Sequence, residues 1–402
     1  MRNFFTLLLL WSASTSMLGQ WTQTTPYPLA LKQATAFTMN GKAYLAGGSG
    51  LDDGGVAVNS FYEFDPTTNN YTALASVPGG VSRIGSFSFA INGKGYISAG
   101  ADSAKPYPLS TYEYDPTTDT WTKKQDFPGT ERYNGFSAVL NGKAYIIGGQ
   151  SGFNSTKEVW EYDPATDTWT QKGDYPGTAL SEPAGFVING QLYITQGGFN
   201  AMAGEMYMYV PATDSWVAKA NFPDRPRTGA FSFSIGNFGY LCGGMIPFNF
   251  TNSTDLHRYN PATDSWQKAN LSFPNDYTAS GISFVLGNDA YLGTGLDVSD
   301  FTLTSDMYKI TLGNIGLEED KASEMLKLYP NPGYDVIYVE YSSGEFTNTT
   351  LELTDLSGKV VMEVEVDQLK TPIDVSSLTR GVYFLTGKKE GIILSSQKLT
   401  LQ

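Results

Sequence analysis

The 402-residue chain carries 40 acidic against 26 basic side chains, a formal charge of -14. That balance argues against nucleic acid and anionic membrane surfaces as partners. Its single cysteine, Cys242, leaves no internal disulfide to form. Its single histidine, His257, excludes His-based triads and multi-histidine metal sites.

The chain begins with Arg2, an apolar run from Phe4 to Trp11 and a small polar stretch from Ser12 to Gly19. The run is too short to cross a bilayer, so residues 1–19 read as a signal peptide cleaved near Gln20 that directs export to the periplasm. No other stretch has the length and apolarity of a transmembrane segment.

From there a two-part element recurs about every 50 residues. Asn141-Gly142-Lys143-Ala144-Tyr145-Ile146-Ile147-Gly148-Gly149 is followed by Glu161-Tyr162-Asp163-Pro164-Ala165-Thr166-Asp167-Thr168-Trp169. The first part recurs at Asn40, Asn92 and Asn189 and, inverted, at Gly236-Asn237 and Gly287-Asn288. The second recurs through Asp65-Pro66, Asp115-Pro116, Val210-Pro211 and Asn260-Pro261. A unit of this length, rich in Gly, Tyr, Val and Thr, fits one four-stranded blade of a β-propeller.

Each part has a physical task. Asn-Gly between apolar strands predicts a type I′ hairpin joining strands a and b. Gly-Gly, as at Gly47-Gly48 and Gly243-Gly244, lets the backbone approach a neighbouring blade. Asp-Pro forms the turn between strands c and d, and the following Trp opens strand d as a residue expected to be buried between blades. The same aromatic stands at Trp21, with no strands a to c before it. Conversely, Met307-Tyr308-Lys309-Ile310-Thr311 gives a last strand c with no Asp-Pro or Trp after it. The N-terminal segment from Trp21 is therefore expected to supply the missing outer strand, closing a ring of six blades.

Past Ile310 the pattern changes. A polar linker over 314–325 precedes about 77 residues in which Ile337/Val339/Tyr341, Leu351/Leu353 and Val360/Met362/Val364/Val366 alternate, with Asp355-Leu356-Ser357-Gly358 as a turn. This predicts a small antiparallel β-sandwich.

The repeat resembles the kelch family, which implies an all-β, six-bladed propeller over 20–313. Residues 326–402 resemble the C-terminal sorting domain of type IX secretion cargo, in Leu328-Tyr329-Pro330-Asn331-Pro332, in Leu353-Thr354-Asp355-Leu356-Ser357-Gly358-Lys359 and in Ile373 to Phe384. That likeness implies the type IX machinery as a partner and a secreted or outer-surface destination. Galactose oxidase, a kelch enzyme, needs two histidines and a cysteine-linked tyrosine on copper, a site this chain cannot build. The six-bladed kelch sialate mutarotases act on an acidic sugar with Arg and carboxylate groups.

Candidate site residues lie at the rim. Arg83, Arg132 and Arg227 each stand nine residues before their hairpin turn, and Lys32 stands eight before its own. Convergent guanidiniums would favour a carboxylate- or sulfate-bearing ligand. The alternative is that they bond the carbonyls of neighbouring blades. Glu131 and Glu182 fall near the same rim as candidate acid or base. Asp52-Asp53 and the segment Asp297 to Asp306 are acidic but lack an ordered cation-ligand spacing. No metal and no cofactor is expected. Two functions follow: a non-catalytic module binding a glycan or protein through its rim, and a carbohydrate enzyme similar to the mutarotases. No catalytic motif matches, which favours binding. A Glu or Asp within reach of the arginines in a closed pocket would favour the enzyme.

Overall fold

The structure is a computed structural model that describes residues 21–50, 58–78, 83–102, 107–195, 197, 204–247, 249–311, 326–341, 349–355, 359–366, 368, 370–389 and 392–402. The expected signal peptide, the Asp52-Asp53 pair, the expected 314–325 linker and most of the expected Asp355–Gly358 turn lie outside the described residues. All the described regular elements are strands. The chain divides into two compact units, one of them Gly19–Asn314.

Among the described residues, this unit holds six four-stranded antiparallel sheets. In the third, strands a to d are Phe136–Leu140, Lys143–Ile147, Val159–Asp163 and Thr168–Lys172, in that spatial order. The inner strands are Thr35–Met39, Phe87–Ile91, Phe136–Leu140, Ala184–Ile188, Phe231–Ile235 and Ile282–Leu286. Each packs beside the next, and the last packs beside the first, so the sheets form a closed ring. The sixth sheet takes its outer strand from the N-terminal end. Thr22 pairs with Lys309 and Gln23 with Tyr308, while Thr24 N–H and Tyr27 N–H reach the Met307 and Ser305 carbonyls at 2.9 and 2.8 Å.

Local chemistry fixes the turns as expected. Asn141 and Gly142 both take positive φ, 51° and 76°, the pair a type I′ turn requires. Asp65, Asp115 and Asp163 each accept the N–H two residues on, at 2.8–2.9 Å. A Cβ on Gly47 would stand 2.2 Å from the Arg83 carbonyl oxygen of the next blade. Its neighbour Gly48 donates to that same carbonyl at 2.8 Å, and Gly100, Gly149, Gly244 and Gly295 repeat the cross-blade bond.

The aromatic before Asp-Pro forms the core, with Phe64, Tyr114, Tyr162, Tyr209 and Tyr259 at 0–1% exposure. The tryptophans differ from expectation, since Trp121, Trp169, Trp216 and Trp266 are only half-buried. Their indole N–H groups explain why. Each donates to a carbonyl in the preceding blade, at Ala75, Gln125, Gly173 and Ala220 respectively, so the ring lies at the surface edge of the seam. Two residues earlier, Asp119, Asp167, Asp214 and Asp264 accept the N–H of those same four residues and their own blade's Tyr hydroxyl. The motif is thus an inter-blade staple as much as a turn. Among the described residues it is absent at the two seams of the sixth sheet. Trp21 packs edge-on against Phe273, with its N–H unpartnered among the described residues. Asn69 and Tyr71 replace Asp and Trp in the first sheet, and the Tyr71 hydroxyl likewise has no partner.

The C-terminal strands form a three-stranded sheet (Leu326–Tyr329, Val336–Tyr341, Lys370–Asp374) and a four-stranded sheet ordered Val360–Val366, Thr349–Thr354, Gly381–Lys389, Ile392–Leu401. Ile337, Val339, Leu351, Leu353, Leu385 and Leu399 are at its core, each 0% exposed. Val360, expected to face inward with its alternating set, is 46% exposed, because the register shifts between Leu353 and Thr354 at that end of the strand.

Candidate functional site

Just before each inner strand stands one residue in the left-handed conformation: Gln33, Gly85, Asn134, Glu182, Gly229 and Ser280, with φ between 50° and 64°. Their backbones form a closed circuit around the axis. Gly85 N–H donates to Gln33 O, Asn134 to Gly85, Glu182 to Asn134, Gly229 to Glu182, Ser280 to Gly229 and Gln33 to Ser280, at 2.6–3.2 Å. Inner strands of adjacent blades share no ladder, so this collar satisfies the amides that a sheet would otherwise pair. A Cβ on Gly85 would fall 1.9 Å from Asn134 Oδ1, which excludes a side chain there.

Glu182 is the centre of the collar. Its carboxylate accepts from Gln33 Nε2 (2.6 Å), Asn134 Nδ2 (2.9 Å), Ser280 Oγ (3.0 and 3.1 Å) and Thr228 Oγ1 (3.4 Å). Residues from four blades therefore converge on one anion. A non-glycine residue held in this region is strained, a common mark of a functional position.

The collar lines a cavity of about 300 Å³ that continues along the inner strands past Ser86, Ser137, Ser232 and Ser283. Ser137 and Ser283 hydroxyls donate to Ser88 and Ser232 carbonyls in the preceding blade, at 2.7 and 3.1 Å. The lining is neutral apart from Glu182, with no lysine or arginine in it.

The arginines are elsewhere. Arg83, Arg132 and Arg227 are 1–2% exposed, and their forks turn into their own blades. Nη1 of each reaches the carbonyl that ends strand b: Ala99 (2.6 Å), Gly148 (3.4 Å) and Gly243 (3.1 Å). Further contacts include Ser110 for Arg83; Thr130 and Glu158 for Arg132; and Ser253, Asp224, Asp255 and the Arg225 carbonyl for Arg227. Burial pulls the Arg83 guanidinium down to about 10 and lowers that of Arg227 as well. Glu158 is held below the usual carboxylate range: burial pushes it up, but bonds from Trp160 and Arg132 outweigh that. The expected convergence of guanidiniums on an opening therefore does not occur. The bonding is to carbonyls, hydroxyls and carboxylates, within each arginine's own blade rather than across to the neighbour.

Lys32 is one residue out of that register. Leu31 holds the arginine position, its carbonyl accepting from Gly295 N–H. Lys32 instead bridges Ser49, as Ile84, Tyr133 and Thr228 bridge Ala101, Gln150 and Met245 in other blades. Glu131 lies off the axis, accepting from Tyr107 N–H (2.9 Å) and Ser151 Oγ (3.4 Å). The carboxylates of the 297–306 segment are engaged locally, Asp297 by Ser299 N–H and Asp300 by Thr302. Among the described residues no cluster of three or more His, Cys, Asp or Glu is placed to hold a metal. His257, buried against Phe222 and Arg227, is pulled down to about 4 by burial and by that guanidinium.

Sequence reasoning reached Glu182 but missed Gln33, Asn134 and Ser280. A signal was present, for the residue two after each arginine is Gly or Asn (Gly85, Asn134, Gly229), the types that accept positive φ.

Residues 33–222 match the family described as the KLHDC2/KLHL20/DRC7 Kelch-repeats domain, and residues 327–402 match the secretion system C-terminal sorting domain. Among solved structures, that of YjhT is similar, with a TM-score of 0.59 at 18% identity over 70% of this chain and 95% of its own. No curated protein matches the chain. Among the described residues, no helix is long and apolar enough to cross a membrane.

Proposed function

We propose that type IX secretion delivers this chain, whose residues 33–222 match a Kelch-repeats domain and whose residues 327–402 match a secretion-system C-terminal sorting domain, to the cell surface or medium. There it acts as a non-catalytic binding protein for a neutral glycan, whose hydroxyls are read at the Glu182 collar. The observation that carries this reading is one carboxylate oriented by four neutral donors at the end of a cavity with no cation in its lining. The Gln33 and Asn134 amides each keep a second N–H that a sugar hydroxyl can accept, and a sugar hydroxyl can donate to the carboxylate by displacing the longer Ser280 and Thr228 bonds from its about four lone-pair sites.

The enzyme alternative, a mutarotase or epimerase for an acidic sugar, needs a cation beside the carboxylate. A sialate carboxyl would meet Glu182 as a like charge, while Arg83, Arg132 and Arg227 are committed inside their blades. Glu131, the other candidate acid or base, does not line the cavity.

A glycan array probed with the mature chain and its Glu182→Gln variant tests the reading. Charge-assisted bonds contribute about 1.5–3 kcal/mol each, so the variant should weaken neutral glycans by roughly ten- to a hundredfold. Faster interconversion of sialic-acid ring forms by NMR, abolished in the same variant, would overturn it in favour of the enzyme.

A further inference from the structure

Gln33 and Glu182 meet across the ring. They stand just before the first and fourth inner strands, Thr35–Met39 and Ala184–Ile188, on opposite blades, yet Gln33 Nε2 donates to Glu182 Oε1 at 2.6 Å. Asn134 of the third blade and Ser280 of the sixth brace the same oxygen from the two sides of that bond, at 2.9 and 3.1 Å. These side chains form a bar across the axis at the collar end of the cavity.

From the bar the cavity of about 300 Å³ runs as far as Ala36, Ser137, Ser232 and Ser283; among the described residues, Thr38, Val139, Ser234 and Val285, the next on the same side of each strand, do not line it. At ~3.3 Å per residue of strand, the depth is roughly 10 Å. Such a volume stands at the lower end for small-ligand sites, with room for one sugar ring and not for a chain laid through it. The wall of this well is fixed. Thr35 and Ser88 hydroxyls meet at 2.5 Å, Ser88 Oγ donates to the Ala36 carbonyl (3.1 Å) and Ser232 Oγ accepts the Gly185 N–H (3.1 Å), tying adjacent inner strands together. The bar is different. Gln33 is only half-buried, and when its side chain swings away the carboxylate keeps Asn134, Ser280 and Thr228.

Resting on the glycan reading above, we infer that the Gln33–Glu182 bar is a gate over an axial well for a single neutral sugar residue, so that the protein takes the end of a glycan chain rather than its interior. Hydroxyls that stay outside the bar meet the collar through its longer bonds, but entry to the well opens the Gln33–Glu182 bond itself. A sugar hydroxyl can bridge that opening, accepting from Gln33 and donating to Glu182, so neither partner is left unsatisfied. A carboxylate or sulfate group only accepts and meets Glu182 as a like charge, which keeps acidic sugars out. The interior of a polymer cannot follow, because the well is one residue wide and is reached along the axis.

In the full mature chain, Ala36→Cys places a thiol on the wall of the well, while native Cys242 is 0% exposed and gives an unreactive background. The measurement is the rate of alkylation by N-ethylmaleimide, alone and with neutral monosaccharides (glucose, galactose, mannose, xylose, N-acetylglucosamine) or β-cyclodextrin, a neutral glucan ring without ends. Adding Gln33→Asn, one methylene too short to reach Glu182 and at ease at the φ of 56°, should raise the rate at least tenfold with Tm unchanged. At least one monosaccharide should slow labelling tenfold or more, and β-cyclodextrin should not. Equal rates with and without Gln33→Asn overturn the gate, as does a Tm fall of several degrees, which makes the bar a structural tie. No protection by any monosaccharide, or equal protection by β-cyclodextrin, overturns the well. The glycan array separates this inference from the reading it rests on. Glycans that lose binding in Glu182→Gln while no monosaccharide protects the thiol keep the collar and strike the well. An array blank for neutral glycans strikes the glycan reading itself.

Discussion

Arg132→Ala isolates what a rim arginine does. The side chain is 1% exposed, Nε and Nη2 donate to Thr130 O (3.1 Å) and Oγ1 (3.0 Å), Nη1 to Gly148 O (3.4 Å), and Nη2 also to the Glu158 carboxylate. Its guanidinium lies 5.1 Å from the Phe127 ring centre. Truncation strands the Gly148 carbonyl and leaves Glu158 with the Trp160 indole alone. Removing one partner of a buried pair costs about 3–5 kcal/mol, and the 29% exposure of the Glu158 side chain places this case near 3. At about 2–4 °C per kcal/mol for a domain of this size, Tm should fall by roughly 6–12 °C in scanning calorimetry. Arg132→Lys keeps the charge but not the fork and should recover only part of the loss. Adding Glu158→Gln to Arg132→Ala should cost less than the sum of the single changes. A Tm within about 2 °C of the parent, together with loss of an acidic ligand, would refute the structural role.

Deleting Trp21 to Pro28 removes the strand paired with Met307–Thr311 and the buried Tyr27 that packs on Tyr62 and Tyr71; the exposed edge should lower Tm by well over 5 °C and promote aggregation, and an unchanged melt would refute N-terminal closure. His257 is lowered from 6.5 to about 4 in the fold, so the unfolded chain binds the proton first as pH drops. Stability should therefore be lost between about pH 6.5 and 4, by at most about 3 kcal/mol, and His257→Gln should flatten that limb of the Tm–pH curve.

The blades were legible because their determinants are local. Asn141-Gly142 dictates its hairpin and Asp163 its turn within a few residues, and the missing outer strand of the last sheet was visible as a lone Trp21. The collar was not legible, because Gln33, Asn134, Glu182 and Ser280 lie about 50 residues apart and meet only when the ring closes. For the arginines, periodicity gave the register but not the direction: position 132 lies four residues ahead of the inner strand Phe136–Leu140 whether its fork faces the axis or its own blade. Lys32 shows the cost of a one-residue error, since in an extended chain it exchanges one face for the other. Direction is decided by where unpaired carbonyls such as that of Gly148 fall, which only the assembled sheets reveal.

The seams beside the sixth sheet, which lack the carboxylate and indole staples of the other four, make that sheet the clasp of the ring. Its outermost strand is the first part of the propeller to be made, while its partner, Met307–Thr311, is the last. During synthesis the chain thus carries an unmatched segment at its leading end until the trailing strand arrives, a contact of very long sequence separation and a correspondingly slow one to form. Five stapled blades can assemble as an arc in the meantime. Because the seams that join the two ends are also the least bonded, amides around Thr22 and Lys309 should be the first of the ring to exchange with solvent, opening and reclosing without disturbing the arc.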